Sequence, residues 1–156
     1  MQKILVVNTY VETEDTEKYE SFFKDFFNKF SSKGVEVDTC GLRYGAYSLE
    51  DNYDMVLNSP FILERAKNAE KKGYDAVIIN CFGDPALEAA REIVDIPVVG
   101  AGQAALHVAS LLGNRLSILF IGSEVTARKY LPKFQRIVSP EKIASIRSIG
   151  LTVLEI

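Results

Sequence analysis

The residue best suited to chemistry in this chain is Cys81, in the run Asn80-Cys81-Phe82-Gly83-Asp84-Pro85. A thiol is a nucleophile or an acid/base only where its surroundings supply thiolate, so its setting decides its use. Ahead of it, Ala76-Val77-Ile78-Ile79 is a short apolar, β-branched run of the kind that is buried on both faces of a parallel sheet. Behind it, Asp84 suits a helix cap and Pro85 a first helical position, so the spacing predicts a helix from Pro85 to about Ile93. Cys81 is thereby expected between the C-terminal end of a strand and a helix N-terminus. Ligands of open α/β sheets bind at that edge, and the positive helix end favours thiolate. The plainer reading of any cysteine is a small buried hydrophobe. Asn80, which breaks the apolar run, and the helix start argue for the functional one, whereas Cys40 lacks such a setting and reads as structural.

Other chemistries fit less well. His107 is the only histidine, so Cys81 and His107 are the only cysteine-hydrolase pair available. His107 lies mid-helix between Leu106 and Val108, and no glycine stands two residues before Cys81 as a sharp nucleophile elbow requires. A phosphate site after the first strand would need glycines, but Asn8-Thr9-Tyr10-Val11-Glu12 has none and leads into acids. A phosphoacceptor domain would carry acids where Asn8 and Asn80-Cys81 stand. Gly100-Ala101-Gly102 reads as small residues for close helix-sheet packing rather than a dinucleotide fingerprint, and Gln103 as a cap or a ligand contact. One histidine and two cysteines without a CxxC offer no metal-ligand set.

The 156 residues suffice for one well-buried domain, and 18 Lys and Arg interspersed with 21 Asp and Glu leave no concentrated basic patch for nucleic acid or an anionic membrane. The opening Met1-Gln2-Lys3-Ile4-Leu5-Val6-Val7 is too short for a signal peptide, and no apolar run approaches a membrane span. A cytoplasmic protein with reduced thiols is expected.

Strands and helices alternate throughout. Strands are expected at Lys3 to Val7, Val35 to Thr39, Ala76 to Ile79, around Pro97 to Val99, Leu116 to Ile121 and Leu151 to Leu154. Helices are expected from about Glu17 to Lys33 behind Thr16, Phe61 to Lys72, Pro85 to Ile93, Gln103 to Leu112 and Val125 to Ile137, the last bent at Pro132, with a short one opening at Ser139-Pro140-Glu141. The aromatic stripe Tyr19, Phe22, Phe23, Phe26, Phe27 and Phe30 reads as core, and Arg43 to Tyr53, with three tyrosines, as a long loop of functional type. This alternation predicts an α/β class protein, a doubly wound, mostly parallel sheet of flavodoxin-like or Rossmann-like kind. Asn8, Cys81, Gly100 and Gly122 would share the rim at the strands' C-terminal ends.

Beyond periodicity, YDAVIINCFGDPALEAAREIVDIPVVGAGQAALHVASLLGNRLSILFIG resembles the aspartate/glutamate/hydantoin racemase superfamily, most of all its hydantoin racemase branch. The resemblance rests on Cys81 to Pro85, Pro97 to Gly100 and Ala104 to His107, with Gly45 to Glu50, Asn52 to Asp54 and the strand ending at Asn8 matching in kind. It implies a cofactor-independent racemase or epimerase acting on a small carbon acid, a hydantoin or an amino acid, and the apolar surface expected where the family's other half would pack favours a homo-oligomer. It assigns Cys81 as one acid/base, Phe82, Gly83 and Asp84 as the wall of an anion site, Asn8 as a substrate contact and Gly122-Ser123 as a loop of the other half. It also implies an aspartate racemase-like domain over residues 1–113, and over 114–156 the start of a second, pseudo-symmetric half.

The sequence departs from that pattern in three places. No cysteine follows Cys81 before Ile156, so the family's second acid is absent; Thr9-Tyr10 replaces the usual Pro-Asn; and Ala86 stands where glycine is common. Three explanations stay open: a fragment or naturally shortened member that binds ligand without racemising it, a homodimer whose second copy stands in for the missing half, or a one-sided reaction using one cysteine. A non-catalytic small-molecule binding domain on the same fold is the alternative function.

Overall fold

The computed structural model describes residues 1–155. They form two compact units, one of Met1–Ala101 and one from Gly102 onward.

The first unit is built on four parallel strands in the order β2-β1-β3-β4. They are β1 (Gln2–Val11), β2 (Val35–Leu42), β3 (Ala76–Asn80) and β4 (Val98–Gly100). The fold is the expected α/β class with a parallel sheet and flanking helices. Paired residues on parallel strands point to the same face. In register, Cys40, Val7, Ile79 and Gly100 therefore share one face, and Thr39, Val6, Ile78 and Val99 the other.

The first of these faces is the core. Val7, Val77, Ile79 and Leu42 pack against Ile62, Ala66 and Ala69 of helix α2 (Asn52–Lys71) and against Leu87 and Ala90 of helix α3 (Leu87–Ile93). Helix α2 begins nine residues earlier than the sequence predicts, because Asp51 caps it and Pro60 lies inside it. Proline removes one helical N–H. Here the cost is offset by tertiary anchoring on both sides of it, through fully buried Asn58 and Ile62. The long loop is thereby confined to residues 43–51.

The other face carries helix α1 (Glu17–Phe30), placed by Thr39 Oγ1 donating to the Glu20 carbonyl at 3.1 Å and by Asn28 bonding both backbone groups of Val37. Thr16 does occupy its N-cap, but its hydroxyl turns back to Thr13. The helix stops at Phe30 rather than Lys33, and the expectation that its aromatic stripe is core is corrected. No α1 residue is fully buried, and Tyr19, Phe22, Phe26 and Phe30 are 46% to 70% exposed. A helix lying over β1 and β2 buries only the side facing them. Phe23 and Phe27 turn inward, while on the flank Phe22 stacks on Phe26 and Phe30 lies tilted against Phe26. Coverage of the sheet falls off in the same direction, from Val6, which is fully buried, to Val99, which is 40% exposed.

The second unit contains helix α4 (to Leu112), β5 (Leu116–Phe120), helix α5 (Glu124–Ile137) and β6 (Ile143–Ser148). Helix α4 begins at Ala101, two residues before the expected start. Strands β5 and β6 pair in parallel as a separate sheet. Tyr130, Phe134 and Ala127 of α5 are buried, as are Ile118 and Val138, and α5 runs through Pro132 without ending. The last strand is Ile143–Ser148, not Leu151 to Leu154, where a single turn of 3-10 helix spans Val153–Glu155. Strand-like composition at Leu151-Thr152-Val153 lost to Gly150, whose positive φ turns the chain away first. No helix among the described residues is long and apolar enough to cross a membrane.

One electrostatic clamp ties α1 to the sheet. Asp38 on β2 accepts from Lys24 Nζ at 2.8 Å and from Tyr74 Oη at 2.9 Å. The Lys24 bond, opposed by desolvation and helped by Tyr74, holds the Asp38 carboxyl below the usual carboxylate value. A depressed native pKa stabilises the fold fully above the unfolded value and is lost as pH falls through the native one. Asp38→Asn should lower unfolding free energy by about 1 kcal/mol at pH 7, with the gap to wild type closing as pH drops below the ordinary carboxylate range. Urea titrations at both pH values measure it.

Candidate active site

Strand β1 runs past Asn8 to Val11, so Asn8 lies within the sheet, paired in register with Asn80. The two side chains meet on one face, where Asn80 Nδ2 donates to Asn8 Oδ1 at 2.8 Å. Asn8 is 1% exposed and its other end is also engaged, Nδ2 donating to Glu20 Oε1 and to Tyr10 Oη, each at 3.3 Å. Tyr10 donates to Glu20 Oε1 at 2.7 Å. Burial, then the hydrogen bond to Glu20, pushes the Tyr10 phenol far above its ordinary value, so it stays protonated. An open, acidic cleft lined by Glu12, Thr13, Thr16, Glu17 and Glu20 adjoins this group.

At Cys81 the chain leaves the sheet in two tight turns. The Cys81 N–H donates to the Ile79 carbonyl at 3.0 Å, a γ-turn centred on Asn80, and the Asp84 N–H donates to the Cys81 carbonyl at 2.9 Å. Cys81 is half-buried at this corner, Phe82 is 38% exposed, and Gly83, Asp84 and Pro85 are buried. The sequence places a helix start at Asp84-Pro85; the structure corrects this. Helix α3 begins at Leu87, with Ala86 as its N-cap residue at φ 56° and Asp84 also left-handed at φ 44°. Asp84 does not cap the helix because its carboxyl is turned inward, with the residue only 4% exposed. A Cβ on Gly100 would overlap the Asp84 carboxyl oxygen and stand 2.6 Å from Leu87 Cδ2. Gly100 is thus the small residue that leaves room for the buried acid. Left-handed backbone at two non-glycine residues costs on the order of 1 kcal/mol each and persists where packing dictates it.

The second cysteine, Cys40, is half-buried like Cys81. Cys40 packs against the core, and burial, only partly opposed by Arg65, pushes its thiol up to about 12. At neutral pH such a thiol stays protonated, and its core contacts agree with the structural reading of its sequence setting. Neither cysteine is in a disulfide.

Sequence reasoning missed the loop clamp. Asn58, fully buried, accepts from the Ala46 N–H at 2.6 Å and donates to the carbonyls of Thr9 at 2.9 Å and Ala46 at 3.2 Å. This ties the 43–51 loop, with its exposed Tyr44 and Tyr47, to the end of β1 beside Asn8. A Cβ on Gly45 would overlap Asn58 Oδ1. With the helix expected only from Phe61, Asn58 lay outside it and gave no signal of this clamp.

Of the expected site residues, the structure brings together Asn8, Cys81, Phe82, Gly83 and Asp84 at one end of the four-stranded sheet. Gly122 and Ser123 lie in the second unit, on the other sheet. There Ser123 Oγ caps α5 by accepting from the Thr126 N–H at 3.1 Å. Gly122, at φ 102°, is held by the Leu151 carbonyl and the Ser148 hydroxyl. His107 is exposed on α4. Among the described residues no group of three or more His, Cys, Asp or Glu side chains could hold a metal ion.

The Asp/Glu/Hydantoin racemase family model matches residues 7–156. The chain is 31% identical over 154 residues to the hydantoin racemase of Paenarthrobacter aurescens, covering 97% of this chain and 63% of that one. Over 79 residues it is 42% identical to the hydantoin racemase of Pseudomonas sp. (strain NS671), covering 51% of this chain and 32% of that one. The structure of allantoin racemase from Klebsiella pneumoniae superposes with a TM-score of 0.85 at 27% identity, over 99% of this chain and 61% of that chain. The chain thus spans less than two thirds of the length of these relatives.

Gly100→Ala should destabilise the protein by about 1–3 kcal/mol, since the buried Asp84 carboxyl and Leu87 leave no space for a methyl group. Chemical denaturation gives the difference. Iodoacetamide at pH 7.5 should label Cys81 and leave Cys40 intact, as read by peptide mass spectrometry.

Proposed function

Because the chain belongs to the Asp/Glu/hydantoin racemase family, we propose that it acts on a small carbon acid, a hydantoin or an amino acid, with Cys81 as a cofactor-independent acid/base. The observation that carries this reading is the position of Cys81, at the C-terminal end of β3 in the corner between two turns, with Asn80 locked behind it. Inverting such a centre means taking a proton from one face of the carbon and returning one to the other. Cys81 serves one face as thiolate base or thiol acid. Phe82, Gly83 and Asp84 shape the adjoining anion site, where backbone dipoles stabilise the enolate-like charge that develops as the proton leaves. Asn8, engaged at both ends, acts by holding Asn80 rather than by reaching the substrate itself. The other face needs a second proton donor, and Cys40, core-packed with a thiol near 12, is not that group. Gly122-Ser123 belongs to the loop that opens the second pseudo-symmetric half, whose beginning we place near residue 114.

Self-association is one source of that second donor. The exposed flank of α1, with Tyr19, Phe22, Phe26 and Phe30, is the surface offered for it. Four aromatics at 46% to 70% exposure present on the order of 400 Å² per copy, about half of what a specific interface buries on each partner. Exposed Val99 adds to the same side of the sheet. Sedimentation velocity should show a species larger than the monomer that Phe22→Asp with Phe26→Asp converts to monomer; a wild-type monomer at about 100 μM would exclude this source of the second acid.

The activity itself is tested by α-proton exchange in deuterated water, followed by NMR on 5-substituted hydantoins, aspartate and glutamate. Exchange with inversion, abolished in Cys81→Ala, is expected for a complete site. Exchange with retention would mean that only one face is served. Absence of exchange on every substrate would overturn the assignment of Cys81.

A further inference from the structure

Helix α1 reaches the neighbourhood of Cys81 through side chains alone. Glu20 accepts from Tyr10 Oη at 2.7 Å and from Asn8 Nδ2 at 3.3 Å, and Asn8 Oδ1 accepts from Asn80 Nδ2 at 2.8 Å. Asn80 is the central residue of the γ-turn that swings Cys81 out of the sheet. Each group in this chain constrains the next through its donor and acceptor inventory. An ionised carboxylate only accepts, so the amide nitrogen of Asn8 must face Glu20 and its oxygen must face Asn80. That oxygen sets the Asn80 amide, whose nitrogen donates to it. Reversing the Asn8 amide would set its oxygen against the Glu20 oxygen and leave Asn80 able to meet it only as an acceptor.

From this ordering we propose that Glu20 is a positioning residue for Cys81. Its carboxylate sets the orientation of Asn8, Asn8 sets Asn80, and Asn80 holds the γ-turn that aims the thiol. It touches neither Cys81 nor substrate in this role. The proposal takes from the functional reading only that Cys81 is the working group. Glutamine at position 20 retains an oxygen able to accept from both Tyr10 and Asn8, which approach the same carboxylate oxygen. Alanine retains none. Glu17 lines the same acidic cleft without bonding to Asn8, so Glu17→Gln removes a comparable charge and leaves the ordering intact.

The test compares wild type with Glu20→Ala, Glu20→Gln and Glu17→Gln by the rate at which iodoacetamide alkylates Cys81, with Cys40 as an internal gauge of loosening. Misplacing a reacting group by about an ångström changes rates strongly. Glu20→Ala should alter the Cys81 rate by about fivefold or more, while Glu20→Gln and Glu17→Gln stay within about twofold of wild type. Cys40 should remain unlabelled in all four proteins. A Glu20→Ala rate within twofold of wild type would overturn the proposal, as would an effect shared by Glu17→Gln, which would be charge alone. So would labelling of Cys40 in step with Cys81, which would mean a loosened fold. Where wild type exchanges α-protons, Glu20→Ala should lower kcat with KM little changed, and Glu20→Gln should restore it. If wild type shows no exchange but the thiol rates follow the expected order, the catalytic reading fails and the positioning role stands.

Discussion

The hydrogen bond from Asn80 to Asn8 is the contact on which the surroundings of Cys81 depend. It crosses between the two central strands of the sheet, at the level where the backbone of β3 stops following the ladder. Polar side chains at such a depth stabilise a structure only when every donor and acceptor is used, because an unpaired amide there costs more than a made bond returns. Asn8 meets this condition through Glu20 and Tyr10, and so draws α1 into the architecture of the site. A helix that packs loosely by hydrophobic measure is thus joined to the sheet by polar bonds: Glu20 to β1, Asn28 and Lys24 to β2.

A second carboxamide performs the matching task on the opposite face. Asn58 reaches from α2 to the Thr9 carbonyl, one residue beyond Asn8, and takes both backbone groups of Ala46. The end of β1 is therefore gripped from both sides, by Asn8 toward α1 and by Asn58 toward α2. The tyrosine-bearing loop and the Cys81 corner are both anchored to it, directly or through one intermediary. This arrangement combines a rigid sheet end with exposed groups around it, the condition under which a single thiol can be held in a defined direction.

The turn after Cys81 follows from packing rather than local preference. Asp84 and Ala86 both adopt left-handed backbone, which neither residue favours, because the Asp84 carboxyl occupies the space that Gly100 leaves open across the sheet. Helix α3 then starts late and is short. The strain is local and the compensating contacts are long-range, a pattern associated with sites whose geometry is maintained for function.

Strand and helix order, the parallel sheet and the structural setting of Cys40 were legible in the sequence, because hydrophobic periodicity and strand-end position are local properties. The racemase-family resemblance was legible too, in the Cys-Phe-Gly-Asp-Pro run. Local signals misled where a tertiary contact outweighed them. The helix expected from Phe61 begins at Asn52 with Pro60 inside it, because buried Asn58 and Ile62 fix the helix on both sides of the proline. The phenylalanine spacing gave α1 its amphipathic face, yet how much of that face is buried depended on the width of sheet beneath it. Asp84-Pro85 had the composition of a helix cap, but an acid directed into the interior cannot also cap. The orientation of Asn8 was beyond the sequence altogether, since the residues that set it, Glu20 and Asn80, are 12 and 72 positions away and meet only once α1 and β3 flank the first strand.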